Sequence, residues 1–473
     1  MIRTTVLLSS ALAALSIVSS AARAQDAHAV FGAEPRVERL SNGLTVISVH
    51  TESPGIVAYY TLVRVGSRDE VEPGHSGFAH LFEHMMFRGT DAVPAARYEE
   101  LLQSFGADNN AYTSQDFTLY TVTTPSASLP QVIELEADRF QHLSYTEEVF
   151  RTETGAVHGE YDTQRSSPML PMWEALSEIA FSRHTYGHTT LGYLRDIEAM
   201  PERYDYSRRF FTRFYTPDDC TIIAAGDVDH AALMAAVRER YGSWRGRRDR
   251  PRVPVEPEPT AGARRHIAWQ APAQPRMFVG WRVPGFVSGR SARERRAALR
   301  TTAALQVVHG LAFSEPSPLY QHMVVDQHRA LELGSWSNEL SLDPSLFVAH
   351  VVLADNETFD PAIAEIQGAI DELASGVDAE RLDAVKSHAR YALLMELQTP
   401  SDVADLIARF VAVGSSLDVL YEYLEELRAV TVEDVSRVAR ELLNDRRRFV
   451  VTLSRGADPS ADGPPTPSAE DPS

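Results

Sequence analysis

His80 and His84 stand four residues apart with Glu83 between them, in the segment GHSGFAHLFEHMMFRGT. On an α-helix, positions i and i+4 share a face about one turn apart, so both imidazoles can reach one metal ion. Glu83 follows His80 by three residues and falls on the same side, beside the ion, where it can take a proton from a bound water. The spacing therefore points to metal-assisted hydrolysis. The other positions of the segment, Phe78, Ala79, Leu81, Phe82, Met85 and Met86, are nearly all apolar. An ionisable trio inside such a buried helix is costly unless something binds it.

The elements that must position this trio can be read around it. Ser76 is the expected N-cap of the motif helix and Gly89 the expected left-handed residue after its end. A catalytic zinc usually has three protein ligands and one water, so a third ligand is expected elsewhere in the chain. The segment FRTETGAVHGEYDTQ offers Glu153 and Glu160, seven residues apart and hence on one helical face, one to bind and the other to stand behind it. Ser144 with Glu147 three residues on predicts a capping box at the start of that helix.

Together these motifs resemble those of the inverzincin peptidases, the family of pitrilysin, insulin-degrading enzyme and the mitochondrial processing peptidase. The resemblance runs from about Glu38 to about Leu453 and includes NNAYTSQDFTLY, HTYGHTTLGYLRDIEAM and FYTPDDCTIIAAGDVD. It implies one Zn2+ held by His80, His84 and Glu160, which lies 76 residues after His84 as the family's third ligand does. Glu83 is then the general base of a zinc metalloendopeptidase, and Glu153 supports the ligands from behind. The residues Asn110 to Thr113 and Phe117 to Tyr120 read as two short strands around a turn at Ser114 to Asp116. In the family the first of these is an exposed edge strand, so Asn110, Ala111 and Tyr112 are expected to bind an extended peptide through backbone pairing.

The domain plan follows from length and composition. Residues 1–24 read as a cleavable signal peptide, with Arg3, an apolar run and Ala22-Arg23-Ala24 at the cleavage site, and they direct the chain to the periplasm. No later segment approaches the roughly 18 apolar residues of a membrane span, so no membrane anchor is expected. Residues 25–245 form the expected zinc-binding domain, 246–265 a linker rich in proline and charge, 266–456 a second domain without metal, and 457–473 a disordered tail. Strand pairs separated by long helices indicate an α+β fold. The resemblance implies two tandem homologous domains, each an antiparallel sheet covered by helices.

A formal charge of −20 argues against nucleic-acid binding. Cys220 is the single cysteine, so no intrachain disulfide can form, and its strand-like surroundings make it a small buried hydrophobe. In the second half His309 and His322 have no carboxylate at metal spacing. His75, His158, His184 and His188 likewise lack a ligand set of their own, although His158 is next but one to Glu160. Active relatives carry an arginine and a tyrosine in the second half that bind substrate and stabilise the developing charge. Aligned through SPLYQHMVVDQHRAL, those positions hold Val324 and Leu331, which can donate no hydrogen bond. The expected assembly is therefore a heterodimer with a homologous subunit that supplies the missing pair. A non-catalytic peptide-binding or scaffold protein of the same fold is the alternative, and it predicts a degenerate metal site. A metal-dependent hydrolase acting on a small molecule with the same ligands is a further one.

Overall fold

The computed structural model describes residues 30–286, 291–337, 340–354 and 358–456. The expected signal peptide and the expected C-terminal tail lie outside the described residues. Six strands form the first sheet: β1 (Arg36–Arg39), β2 (Thr45–His50), β3 (Ile56–Val63), β4 (Asp108–Thr113), β5 (Thr118–Pro125) and β6 (Cys220–Gly226). Their order is β1-β2-β6-β3-β5-β4. The second sheet contains β7 (Ala263–Trp269), β8 (Arg276–Val283), β9 (Ala330–Ser337), β10 (Ser345–Leu353) and β11 (Arg448–Arg455), in the order β7-β11-β8-β10-β9. Without β1 the two orders are the same: the last strand of each half enters between its first two, and the third lies at the edge. This shared topology fits the two tandem homologous domains that the resemblance implies.

Neither sheet is wholly antiparallel. The pairs β2 with β6 and β7 with β11 are parallel, because the closing strand of each half returns after a long helical excursion in the direction of the opening one. The strand β7 also begins at Ala263, inside the segment expected as linker. The rest of that segment is tied down in part, since the Glu256 carboxylate accepts backbone N–H groups of Ser182, Arg183 and His184 at 2.7–2.9 Å.

Each sheet is covered on its two faces by helices from different halves. Val46, Val57, Tyr59, Tyr120, Val122 and Ile222 face the helices of the first half. On the reverse face Ile47, Val49, Leu62, Leu119 and Ile223 share a core with Val403, Ile407 and Val411 of the second-half helix Pro400–Gly414. In exchange, Met172 and Leu176 of the first-half helix Met169–Ala180 pack on Phe278, Val451 and Leu453 of the second sheet. Burial on both faces explains why β6 is apolar at nearly every position, with Cys220 buried at its start.

Candidate metal centre

The motif helix spans Phe78–Met85 and buries Phe78, Ala79, Leu81, Phe82 and Met85 in the first-half core. This packing turns His80, Glu83 and His84 to one side. Beneath the helix, the Tyr120 hydroxyl donates to the Phe82 carbonyl at 3.0 Å and so fixes the turn that carries Glu83. The caps differ from those expected. Gly77, at φ 89°, is the N-cap residue, and no side chain of its own is available to cap the helix. Ser76 instead donates its hydroxyl to Asp196 (2.6 Å), a residue far along the chain. The helix ends at Met85 with Met86 as its cap, so Gly89 (φ 84°) serves the turn that follows and not the helix terminus.

The Glu147–Arg165 helix supplies the carboxylates. Its cap is Thr146, whose hydroxyl accepts the Val149 N–H; Ser144 and Glu147 form no capping box. The seven-residue spacing does put Glu153 and Glu160 on one face, towards the motif helix. Glu160 Oε2 lies 3.4 Å from His80 Nε2 and 3.5 Å from His84 Nε2. One ligand atom from each of the three residues falls within 4.8 Å of the others, and no other such group occurs among the described residues. Tetrahedral zinc with bonds of about 2.0–2.1 Å separates its ligand atoms by about 3.3–3.4 Å, so the two contacts suit that ion without rearrangement. Two imidazoles and one carboxylate are also the donor set that favours it.

The clustered imidazoles and carboxylates shift one another's pKa values. The His80 contact draws the Glu160 carboxyl down from its ordinary 4.5 to about 2, against the opposing effect of burial. Glu153 is buried and stands 3.8 Å from His84 Nδ1, and its carboxylate raises the His84 pKa above the ordinary value. Its other oxygen meets Arg88 Nε at 3.1 Å. Glu153 therefore does lie behind the ligands, balanced by an arginine that the sequence reading did not single out. His158 turns away from the cluster to Asp162, at 3.9 Å.

Glu83 is half-buried and accepts a 2.7 Å hydrogen bond from the Thr113 hydroxyl. Thr113 was missed, yet strand alternation carries the signal: it lies two residues after Ala111 and so faces the same side, towards the motif helix. Both belong to β4, which ends the sheet and has β5 as its only strand partner among the described residues. The hairpin has the expected turn, with Ser114 N–H donating to the Phe117 carbonyl at 2.8 Å. Along β4 the Ala111 N–H points away from β5 and is met by the Asn110 side-chain oxygen at 2.9 Å. The Tyr112 side chain is committed elsewhere, its hydroxyl donating to Asp405 of the second half at 2.7 Å. Of the three expected peptide-binding residues, Ala111 is thus the one whose backbone faces the free edge.

Past β4, Gln115 lines an apolar cleft of about 570 Å³ between the two halves, with Trp173, Phe181, Trp336 and Leu346. Gln164 is on its rim and donates to Glu160 Oε1 at 2.8 Å, so the cleft begins one helical turn from the metal cluster. In the second half, Val324 is packed against the core and Leu331 is 52% exposed on the edge strand β9. Arg329 is paired with Glu365, and His309 with the Ser335 hydroxyl.

Residues 45–193 match the family described as Insulinase (Peptidase family M16), and residues 203–388 match the one described as Peptidase M16 inactive domain. Zinc protease PqqE of Helicobacter pylori is 27% identical over 428 residues, covering 88% of this chain and 91% of that protein. The mitochondrial-processing peptidase subunit beta of Lentinula edodes is 25% identical, covering 91% of this chain and 93% of its own. Among solved structures, a protease from Helicobacter pylori superposes with a TM-score of 0.81 at 25% identity, covering 89% of this chain and 99% of that one.

Proposed function

The chain belongs to peptidase family M16, and from that footing we propose that it is a zinc-dependent endopeptidase with Glu83 as general base. One observation carries the reading: the His80, His84 and Glu160 ligand atoms converge beside a carboxylate that is held by the end of a free edge strand. Zinc bound there would polarise the scissile carbonyl and lower the pKa of a coordinated water to about 7.

The remaining work falls to side chains and backbone of this chain. An extended peptide adds to β4 through the outward N–H and C=O of Ala111, displacing the Asn110 side chain from that N–H. Asn110 and Tyr112 hold the strand in place from its inner side. The pairing sets the scissile bond beside Glu83, which Thr113 orients. Glu83 takes the proton of the attacking water as oxygen bonds to the carbonyl carbon, and returns it to the amide nitrogen as the C–N bond breaks. Glu153 and Arg88 hold His84 in position from behind. The cleft that starts at Gln115 and Gln164 suits a bulky apolar side chain of the substrate.

The same chain has Val324 and Leu331 where active relatives place hydrogen-bond donors, and a relative along nearly its whole length is named as one subunit of a peptidase. Both observations favour a heterodimer in which a homologous partner supplies the arginine and tyrosine. The signal peptide read in residues 1–24 supports a periplasmic location for this chain. The test is cleavage of a mixed peptide library by the zinc-loaded chain, with Glu83→Gln as control. A chain that binds zinc at these ligands, is inert alone and cleaves once a homologue bearing the pair is added fulfils the proposal. Efficient cleavage by the chain alone refutes the heterodimer, and equal cleavage by Glu83→Gln refutes the base.

A further inference from the structure

The motif helix is short, and its N-terminus is built without local help. Eight residues make barely two turns, so the helix depends on tertiary partners for its position. Gly77 cannot be exchanged for a capping side chain, since a Cβ there would fall 2.6 Å from the Leu191 carbonyl oxygen. The acceptor for its free N–H groups comes from Glu70, seven residues earlier. Glu70 Oε2 accepts the Gly77 N–H at 2.8 Å and Oε1 the Ala79 N–H at 2.7 Å. Each carboxyl oxygen of Glu70 thus serves one N–H of the first turn, and Ala79 immediately precedes His80.

Glu70 is itself fixed from outside the helix. Its side chain is fully buried, with His188 Nε2 3.9 Å away. Two residues before it, the Arg68 guanidinium grips Asp343 of the second half at 2.5–2.6 Å. The Arg68 N–H donates to the Gln115 carbonyl at 2.8 Å, and the Arg68 carbonyl accepts from Thr185 at 2.6 Å. Next to Gln115, Asp116 accepts from the Tyr186 hydroxyl and from the Leu342 N–H of the second half. A strap of three residues, Arg68 to Glu70, thus joins an interface between the halves to the first turn of the motif helix.

We propose that Glu70 is a positioning residue for the metal helix, holding the His80 turn in register with Glu160 from a strap anchored on the second half. It touches neither substrate nor metal; it acts through the backbone of residues 77–79. The proposal rests on the zinc peptidase reading above, and it gives the second half a part in the site although it has no metal ligands of its own there.

The test is zinc affinity of the full chain by competition with a chromophoric chelator, alongside amide hydrogen exchange at residues 77–80. Glu70→Gln keeps the shape but replaces one acceptor with an N–H donor facing the helix. Its zinc affinity is expected to fall roughly 10-fold or more, the scale found for residues that orient ligands, with faster exchange at Gly77 and Ala79. In the peptidase assay kcat should fall while KM holds, because β4 is untouched. Glu136→Gln is the control for general destabilisation: it disrupts a buried pair with Arg139 (2.7 Å) in the same half and should leave zinc affinity unchanged. Should Glu70→Gln not fold, Glu70→Asp retains the carboxyl, cannot reach both N–H groups, and should show the same loss in weaker form. Wild-type affinity in the folded Glu70 variants would overturn this proposal alone. A wild-type chain that binds no zinc at His80 and His84 would overturn the functional reading and this proposal with it.

Discussion

Replacing Thr113 with valine removes one hydroxyl at nearly constant volume and leaves Glu83 without its 2.7 Å donor. A hydrogen bond to a charged group contributes about 1.5–3 kcal/mol, and the upper end applies where water cannot replace the lost partner. Glu83 is half-buried, as is Thr113, so solvent can take the vacated position and the lower end applies. About 1.4 kcal/mol corresponds to tenfold in rate, which puts the expected loss of kcat at roughly tenfold. KM should stay within a factor of about two, because the backbone edge of β4 is intact and a loss confined to kcat marks an interaction made in the transition state. The assay is steady-state hydrolysis of an internally quenched peptide by the complete assembly, with zinc content measured on the same samples. Thr113→Ser retains the hydroxyl and should recover most of the rate. An unchanged kcat in Thr113→Val, or a loss that Thr113→Ser fails to recover, would refute the role given to this bond.

Ala111→Pro removes the outward N–H of the edge strand while sparing the ladder to β5, since proline is tolerated where the N–H faces away from the sheet. KM for peptides should rise several-fold with little change in melting temperature, and an unchanged KM would remove edge pairing from the mechanism. The metal-free site should also show a defined pH dependence. The Glu160 pKa is depressed to about 2 from 4.5, so its contribution is present above about 4.5 and is lost as pH falls towards about 2. The His84 pKa is raised above 6.5, so its contribution is complete below 6.5 and is lost as pH rises through the folded value. The melting temperature of metal-free wild type should therefore exceed that of Glu160→Gln most at about pH 5–6, with the gap closing near pH 2. A gap constant across that range would show that the ligands do not pair without the ion.

What could be read in advance was the part governed by local geometry. His80 with His84, and Glu153 with Glu160, obey helical periodicity, and the hairpin at Ser114 obeys strand and turn rules. The structure places all of these as that geometry requires. The expected caps failed because other residues take their places. Ser76 has the right type for an N-cap, but Asp196 takes its hydroxyl, and Glu70 serves the helix in its stead. Likewise Thr146 displaced Ser144, since both are capping types and only the observed geometry separates them. The parallel pairs β2 with β6 and β7 with β11 leave no mark in the sequence, because side-chain alternation along a strand is the same whichever way its neighbour runs. Thr113 is different: alternation from Ala111 would have found it.

The exchange of helices between the halves bears on whether the metal-bearing half can exist alone. Helix Pro400–Gly414 covers the face of the first sheet formed by Ile47, Val49, Leu62, Leu119 and Ile223, all at most 1% exposed. Full burial of such a side chain contributes about 1.5–3 kcal/mol, so uncovering five of them forfeits roughly 7–15 kcal/mol. That is the size of the whole stability of an ordinary domain, about 5–15 kcal/mol. The segment 30–245 expressed alone should therefore lack cooperative thermal unfolding by circular dichroism and should bind a hydrophobic dye. It should also lack the zinc affinity of the full chain, since Glu70 loses the anchor that Asp343 gives to Arg68. Sharp unfolding of the fragment with zinc bound at full affinity would show that the second half neither completes this core nor holds the metal helix.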